Sequence, residues 1–543
     1  MNGARDTLAD FTATPRMLAM AALAAAIGVL SAFVALALLK LIGLFTNVFF
    51  FHQLSFANRS PAYNSLGALE VLVPVAGALV VGVMARYGSE RIRGHGIPEA
   101  LEAILVSGSR LEPRVAVLKP LSSAVSIGSG GPFGAEGPII MTGGAFGSLI
   151  AQLLEVTSAE RKALLVAGAA AGMSATFASP IAAMLLAVEL LLFEWKPRSF
   201  VPVAVASIAA LITRHYAIGP GPLFPVPPHP AFVGGLALLE CAVAGLLAGA
   251  LSALLTLAVY ASEDLFKRLP IHWMWWPALG GLVVGLAGVV CPRSLGIGYD
   301  TIGAILRGSL AWRALVLLLV VKGVAWAASL GSGTSGGVLA PLLMMGGALG
   351  GIETLAFAPA GPGFWPLVSM GAVLGGTMRS PFTAVVFAVE LTHDVNMMVP
   401  LMVAVVVAHA FTVLTLRRSI LTEKVARRGF HVTREYAVDP LEVLFVRDVM
   451  TASPPGAREA DPKPPAVAFA NESLRTAVHR MARVGATELP VVSGMNSTER
   501  VGRLTLANIL AARARHLEDE TRRARFLVWT PPSRFLRAAR HRG

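Results

Sequence analysis

Three short glycine-rich turns, each containing a proline, carry the most distinctive chemistry in this sequence. They are residues 94–98 (GHGIP), 134–138 (GAEGP) and 337–341 (GVLAP). A helix that begins at such a turn presents free N–H groups and the positive end of its dipole, which suits an anion. Glycine allows close approach of the backbone, and Pro138 fits the first position of a helix. If the three turns converge, they form an anion site without lysine or arginine, and its partial charges bind weakly enough to allow release.

Glu136 lies inside the second of these turns and adds an ionisable group to it. When ionised, its carboxylate is able to occupy the same N–H pocket that an anion would use, and when protonated it would leave that pocket. We therefore interpret Glu136 as a side-chain gate and proton carrier, because ionisable residues at membrane depth usually have a function. The alternative is a carboxylate that only caps its own helix.

The composition places these turns in a membrane protein. Of 543 residues, 55% are hydrophobic and 14% are charged, whereas soluble domains carry about 25% charged residues. This composition excludes a disordered chain, a disulfide scaffold and a nucleic-acid binder, although the formal net charge is +13. The two cysteines, Cys241 and Cys291, lie in apolar surroundings and are expected to be buried and unpaired.

Apolar stretches of two lengths follow one another along the chain. Some reach the roughly 20 residues needed to cross a bilayer, and others are short or interrupted by glycine and proline. The long ones are 17–51, 233–261, 314–330 and 397–416, and the short ones are 101–106, 139–154, 180–193 and 381–391. Interrupted segments are typical of transporter folds, in which polar backbone lines a cavity at membrane depth.

Basic residues in the loops predict the orientation. Arg5 and Arg16 precede the first span, and five Lys or Arg residues between 417 and 428 follow the last one. By the positive-inside rule, both ends of the chain are expected in the cytoplasm, in a multi-pass protein of the cell membrane. The first apolar stretch is too long for a signal peptide, so no cleaved leader is expected.

An internal repeat relates the two halves of the apolar region. Residues 128–138 align with 331–341, and 143–147 align with 346–350, both at an offset of 203. Further along, Ser-Pro and Ala-Val-Glu-Leu blocks at 179–190 match 380–391 at an offset of 201. Ordered blocks that share glycine, proline and glutamate predict a duplication, with the site at the interface between the halves.

The three turns resemble the signature loops of the CLC family of chloride channels and chloride/proton antiporters, over about residues 17–429. The resemblance implies an all-α polytopic domain of two inverted-topology repeats of tilted and broken helices. It also implies a homodimer with a pore in each subunit, in which Glu136 matches the gating glutamate. It assigns anion binding to His95, Gly96, Ile97, Gly134, Ala135, Gly137, Val338, Leu339, Ala340 and Leu421.

Two substitutions in the anion site depart from the family pattern. His95 stands where a serine is common, and an imidazole is bulkier and becomes positive near neutral pH. It is expected to bind the anion more tightly in acid or to narrow the entry; the alternative is a histidine that bonds to backbone away from the pore. Leu421 replaces the inner-gate tyrosine, which removes a hydroxyl donor and would loosen the inner constriction.

A third departure concerns protons. Antiporters of the family typically have two adjacent carboxylates after the proline-led helix, at the positions of Glu189 and Leu190 in this chain. The second carboxylate relays protons. This chain has Glu189 followed by Leu190, so Glu189 is only a weak candidate for an inner proton path. A helix-packing role is the stronger interpretation for Glu189 and for Glu390, its equivalent in the other half. The sequence thus favours a channel or loosely coupled conductor and leaves a proton-coupled antiporter as the alternative.

The region after the last span has a different composition and resembles a single CBS module, at about residues 447–512. We therefore expect a cytoplasmic segment at 1–16, a transmembrane domain at 17–430, a linker and small α/β module at 431–512, and a basic tail at 513–543. CBS modules normally bind adenine nucleotides in pairs, so a nucleotide ligand is left open here. No other cofactor and no metal are expected.

Chloride transport is therefore the predicted function. The expected partners are chloride, protons in the antiporter alternative, membrane lipid and a second copy of the chain, with no nucleic acid. An intramembrane enzyme is a remote alternative. Residues 331–336 satisfy G-x-G-x-x-G, but no strand precedes them and the repeat at 128 lacks the pattern.

Overall fold

The structure is a computed structural model that describes residues 15–230, 233–430, 440–453, 466–493 and 500–521. The chain divides into two units, Met1–Ala151 with Glu160–Leu421, and Gln152–Ala159 with Thr422–Gly543. The first unit thus ends at Leu421 rather than at the expected residue 430. Residues 1–14 of the N-terminal segment and 522–543 of the basic tail lie outside the described residues.

The first unit is built of α-helices whose lengths follow the apolar stretches of the sequence. Its first half contains α1 (Arg16–Phe51), α2 (Leu72–Tyr87), α3 (Ile97–Leu105), α4 (Pro113–Gly128), α5 (Glu136–Leu153), α6 (Ser158–Phe177), α7 (Pro180–Leu186) and α8 (Pro197–Ala217). Its second half contains α9 (Gly235–Lys267), α10 (Trp276–Val290), α11 (Tyr299–Leu306), α12 (Trp312–Gly331), α13 (Leu339–Glu353), α14 (Phe364–Met378), α15 (Pro381–Thr392) and α16 (Met398–Thr415). The helix α17 (Ile420–Arg427) follows.

Among the described residues, seven helices are long and apolar enough to cross a membrane. They include α1, α9, α12 and α16, so each of the four long stretches read from the sequence is confirmed as a helix. Their outward faces carry exposed leucine, valine and phenylalanine, as lipid-facing helices require.

The short helices begin at the glycine and proline positions of the sequence. The expected start of α5 at Pro138 is wrong, because the helix begins at Glu136 and places the proline third. A proline is tolerated there because first-turn N–H groups have no acceptor within their own helix. After α7 the backbone continues as a π-helix, Ala187–Leu192, whereas α15 remains α-helical throughout.

Helices α5 and α6 pack backbone against backbone. A methyl group on Gly143 would collide with the carbonyl of Gly168, and one on Gly168 would collide with that of Gly143. In the second half, a methyl on Gly346 would lie 2.7 Å from the carbonyl of Ser369, so α13 and α14 approach in the same way. Gly143 and Gly147 in α5, like Gly346 and Gly350 in α13, have the Gly-xxx-Gly spacing that is typical of close helix contacts in membranes.

The second unit contains a small four-stranded sheet. Its strands are β1 (Thr451–Ala452), β2 (Ala468–Phe469), β3 (Glu488–Val492) and β4 (Arg500–Thr505), in the spatial order β1-β4-β3-β2. The first and last pairs of neighbours differ, because β2 and β3 are parallel while β4 is antiparallel to β1 and β3. In the described part of this unit the sheet is accompanied by α18 (Pro440–Val443), α19 (Val446–Val449), α20 (Leu474–Val484) and α21 (Leu506–Thr521).

The helix α20 connects the two parallel strands and forms a βαβ unit. Ser473 caps the start of α20 by accepting a hydrogen bond from the N–H of Thr476, and Gly485 ends it in the left-handed conformation. The inward residues Leu474, Leu489 and Leu504 are almost fully buried and form its core. The second unit therefore combines a small mixed sheet with helices, the last of which, α21, ends at Thr521.

Candidate functional site

The two halves of the first unit meet through backbone hydrogen bonds between their glycine-rich turns. The N–H of Gly134 donates to the carbonyl of Gly337 at 3.1 Å, and the N–H of Gly337 donates to the carbonyl of Gly134 at 2.8 Å. A methyl group on Gly337 would lie 2.6 Å from that carbonyl of Gly134. Glycine is therefore required at this bridge, which joins residues 203 positions apart.

The first turn joins the same cluster. The N–H of Gly94 donates to the carbonyl of Thr334 at 3.2 Å, and the N–H of Gly336 donates to the carbonyl of Gly94 at 3.4 Å. A methyl group on Gly137 would collide with the carbonyl of His95. All three turns predicted to carry the chemistry thus lie in one buried cluster.

Some of the predicted N–H donors are already occupied by protein acceptors. The N–H of Gly96 donates to the Glu99 carboxylate at 2.8 Å, and the N–H of Gly134 is used in the bridge to Gly337. The first-turn N–H groups of α5 and α13 have no acceptor within their helices. Among the predicted residues, the candidate donors to an anion are therefore the N–H groups at the starts of α3, α5 and α13, which include Ile97, Gly137, Leu339 and Ala340.

The side chain of Glu136 occupies the space at these helix starts. It is fully buried, and its carboxylate folds over Gly134 so closely that a methyl group there would collide with Oε2. Its Oε1 accepts a hydrogen bond from the hydroxyl of Tyr299 at 3.2 Å, while Oε2 makes none within the described residues. The backbone N–H groups of Glu136 and Ala340 and the charge of Lys322 act on the carboxylate at longer range. It thus interacts with α5 and with α13.

Tyr299 is a site residue that was not predicted from the sequence. It begins α11 directly after Gly298, which has φ = +74°. Its ring packs edge-on against Phe177, with centroids 6.4 Å apart, and against Phe224, with centroids 5.9 Å apart. The repeat held a signal for it, because the Gly-x-Gly turn at 296–298 lies 202 residues after the one at 94–96.

Two buried lysines lie behind the turns, which corrects the expectation of a site without lysine. The Nζ of Lys119 donates to the carbonyls of Ile92 and Gly94, at 2.8 and 2.7 Å, and to the hydroxyl of Ser335 at 3.1 Å. The Nζ of Lys322 donates to the carbonyls of Ser294 and Gly296, at 2.8 and 2.9 Å.

Both lysine side chains are fully buried, and the residues lie 203 positions apart, the same offset as the repeat. Their N–H groups are used by loop carbonyls, so they add positive potential while the backbone supplies the donors. Burying a full charge is costly unless it is hydrogen-bonded, and the carbonyls meet that requirement here. Neither lysine was predicted from the sequence, although the repeat pairs them.

His95 and Leu421, the two residues that depart from the family pattern in the anion site, are both buried, at 2% and 0% exposure. His95 belongs to the cluster through its backbone carbonyl, which touches Gly137. Leu421 is the second residue of α17, and the carbonyl of Ile420 before it accepts a hydrogen bond from the hydroxyl of Tyr260. That contact attaches the start of α17 to α9.

The carboxylates of Glu189 and Glu390 each accept hydrogen bonds from the start of a helix. The Oε2 of Glu189 accepts hydrogen bonds from the backbone N–H and the hydroxyl of Thr383, at 2.8 and 2.6 Å. The carboxylate of Glu390 accepts the N–H groups of Ile181 and Ala182, at 3.0 and 2.8 Å. These contacts favour the helix-packing role over a proton path. Leu190 is fully buried.

The described residues offer no group of three or more His, Cys, Asp or Glu that is arranged to hold a metal ion. Cys241 and Cys291 are both buried and unpaired in disulfides.

Comparison with known proteins places this architecture. A sequence model described as voltage gated chloride channel matches residues 76–413. The ClcB-like chloride channel protein of Ralstonia nicotianae is 31% identical over 367 residues, which cover 66% of this chain and 85% of that protein. The H(+)/Cl(-) exchange transporter ClcA of Klebsiella pneumoniae is 28% identical and covers 60% of this chain and 72% of its own length. The solved structure of a slow cyanobacterial Cl-/H+ antiporter superposes with a TM-score of 0.68 at 20% identity, over 77% of this chain and 99% of that one.

Proposed function

Because the chain belongs to the CLC family of voltage-gated chloride channels, we propose that it conducts chloride through a pore in each subunit, with Glu136 as the gate. Anion transport by a multi-pass membrane protein is common to the family. The identity of the gate, the anion ligands and the mode of coupling are the parts that we propose for this chain.

The position of the Glu136 carboxylate carries the proposal. It lies over Gly134 at the meeting point of the two halves, where the first turns of α5 and α13 present backbone donors. A buried carboxylate there is a protein-supplied anion, so a permeating chloride would compete with it for the same donors. Protonation removes the charge, weakens the interaction with the N–H groups and vacates the pocket.

The coupling that we propose is channel-like or loosely coupled. Leu190 has no ionisable group at the position where antiporters of the family carry a relay carboxylate, and the neighbouring Glu189 is engaged at Thr383. The alternative, a proton-coupled antiporter, is favoured by the similarity to ClcA exchange transporters. A water chain would have to replace the missing carboxylate in that case.

One experiment separates these two modes. Purified protein in vesicles is given an outward chloride gradient at equal pH on both sides, with valinomycin as a control for electrical coupling. A channel-like conductor moves chloride without stoichiometric proton uptake, whereas an antiporter pumps protons uphill. The variant Glu136→Gln is the matched control: we expect it to conduct chloride with little pH dependence. Unchanged pH dependence in that variant would argue against Glu136 as the gate.

The remaining assignments follow from the family. We infer a homodimer, two repeats of inverted topology, cytoplasmic termini in the cell membrane and a cytoplasmic CBS-like module in the second unit. The near-constant offset of the paired glycines and lysines supports the duplication. The βαβ unit around α20 supports the module. Light scattering of detergent-purified protein tests the dimer, and nucleotide titration of the full chain tests the module.

His95 is proposed as the residue that tunes the site to acid. Its backbone contacts Gly137, next to the gate, and an imidazole is able to take up a proton, which a serine hydroxyl is not. Replacing it with serine is expected to alter anion preference or the acid response. If neither changes, the ring only bonds to backbone.

A further inference from the structure

We propose that the hydroxyl of Tyr299 serves the anion and the gate in turn: it holds Glu136 in the pocket and then donates to the anion that replaces the carboxylate. This inference deepens the proposed function and rests on it. Tyr299 lies outside the three signature turns. It contributes a side-chain hydroxyl, whereas Leu421 contributes none.

The hydrogen bond to the gate is direct. The phenolic oxygen lies 3.2 Å from Oε1 of Glu136, and Tyr299 is the described residue with a side-chain hydrogen bond to this carboxylate. The carboxylate is an acceptor, so the phenol must donate. An anion that takes the place of Oε1 lies within reach of the same O–H group.

The ring of Tyr299 is fixed by its neighbours, so the hydroxyl stays in place when the carboxylate leaves. Phe177 and Phe224 both contact its ring in T-shaped arrangements, with interplanar angles of 75° and 70°. Phe387 supports Phe177 in turn, with ring centroids 5.0 Å apart. Backbone motion is limited as well, because Tyr299 is the first residue of α11. A donor held in this way needs no reorganisation to bind the next anion.

Tyr299 also lines a cavity of about 110 Å³ that carries polar side chains. Its polar lining comes from α1, from the loop that follows α1 and from the start of α11: Thr46, Asn58, Arg59, Ser60, Tyr299 and Asp300. The residue thus touches both this cavity and the gate. An anion or a water molecule in the cavity is one side chain away from Glu136, and Tyr299 is that side chain.

The test measures chloride binding with the gate removed. Detergent-purified Glu136→Gln protein is titrated with chloride by calorimetry, beside the double variant Glu136→Gln/Tyr299→Phe. Loss of a hydrogen bond to a charged ligand is expected to weaken binding roughly ten-fold. Equal dissociation constants in the two proteins would overturn the assignment of an anion ligand.

A second measurement tests the contact with the gate. Tyr299→Phe in the otherwise unaltered chain removes the donor that stabilises ionised Glu136 in the pocket. The carboxylate then protonates and leaves at a lower proton concentration, so the midpoint of chloride flux against pH should rise by about one unit. In the Glu136→Gln background, the same substitution should leave the residual pH dependence unchanged.

The control Tyr63→Phe removes the hydroxyl of an exposed tyrosine, and thermal unfolding of each variant verifies folding. If Tyr299→Phe leaves the midpoint where it is, Tyr299 is a packing residue. If Glu136→Gln protein neither binds nor conducts chloride, the proposed function fails, whatever Tyr299 does.

Discussion

The carboxylates of Glu189 and Glu390 cap each other's helices: each lies near the end of its own proline-led segment and accepts N–H groups from the first turn of the other. The two residues are 201 positions apart, in matching Ala-Val-Glu-Leu blocks. This exchange joins the halves of the first unit at a second place, besides the bridge between Gly134 and Gly337.

The exchange predicts that Glu189→Gln and Glu390→Gln act alike. Each removes a charged acceptor from two backbone N–H groups at a helix start, so each should lower stability by about 1 kcal/mol. Thermal unfolding in detergent measures the loss, and proton uptake under a chloride gradient measures coupling. If Glu189 belongs to a proton path, Glu189→Gln alone will change coupling. An effect on coupling confined to that variant would contradict the capping role.

The local features of this molecule were predictable, and the contacts across the repeat were not. The long spans, and the helix starts at the three turns to within about two residues, follow from apolar length and from glycine and proline positions. Tyr299 was missed because its Gly-x-Gly turn has Asp300 where the first turn has Pro98. Which N–H groups remain open depends on pairings between residues about 200 positions apart, such as Gly134 with Gly337. Local sequence does not encode such pairings.

We predict that replacement of either buried lysine weakens anion binding. Lys119→Met and Lys322→Met each leave loop carbonyls without a donor, at a cost of about 1–3 kcal/mol per buried group. They also remove positive potential from the surroundings of the site. We expect lower thermal stability and weaker chloride binding in both variants. Lys40→Met is the control, because Lys40 lies on the exposed side of α1. Chloride affinity equal to that of the control variant would show that the lysines only support the loops.

We predict that Glu194, which lies outside the spans, contributes to the loss of stability of the fold in acid. Burial alone would raise its pKa, but Lys162, Ser199 and Lys196 together hold the pKa below the usual 4.5. A carboxyl with a lowered pKa stabilises the fold above its unfolded value and ceases to do so as the pH falls through its folded value. The unfolding temperature should therefore fall more steeply in the unaltered chain than in Glu194→Gln below about pH 4.5. Parallel curves for the two proteins would refute this contribution.

A substitution at Gly134 should displace the gate without altering Glu136 itself. A methyl group at this position overlaps Oε2 of Glu136, so Gly134→Ala should push the carboxylate out of the pocket while its charge remains. We expect chloride flux to persist and to lose most of its pH dependence, as in Glu136→Gln, because the gate no longer competes for the donors. Gly235→Ala is the matched control, since a methyl there has no neighbour within 4 Å.

Flux assays across a pH series, with unfolding temperatures to verify folding, compare the two alanine variants. A folded Gly134→Ala protein that retains the pH profile of the unaltered chain would mean that the carboxylate and the anion do not share the space over Gly134. The gating assignment would then fail, because it depends on that overlap. A flat profile at normal stability would show that the position of the carboxylate, rather than its presence, controls conduction.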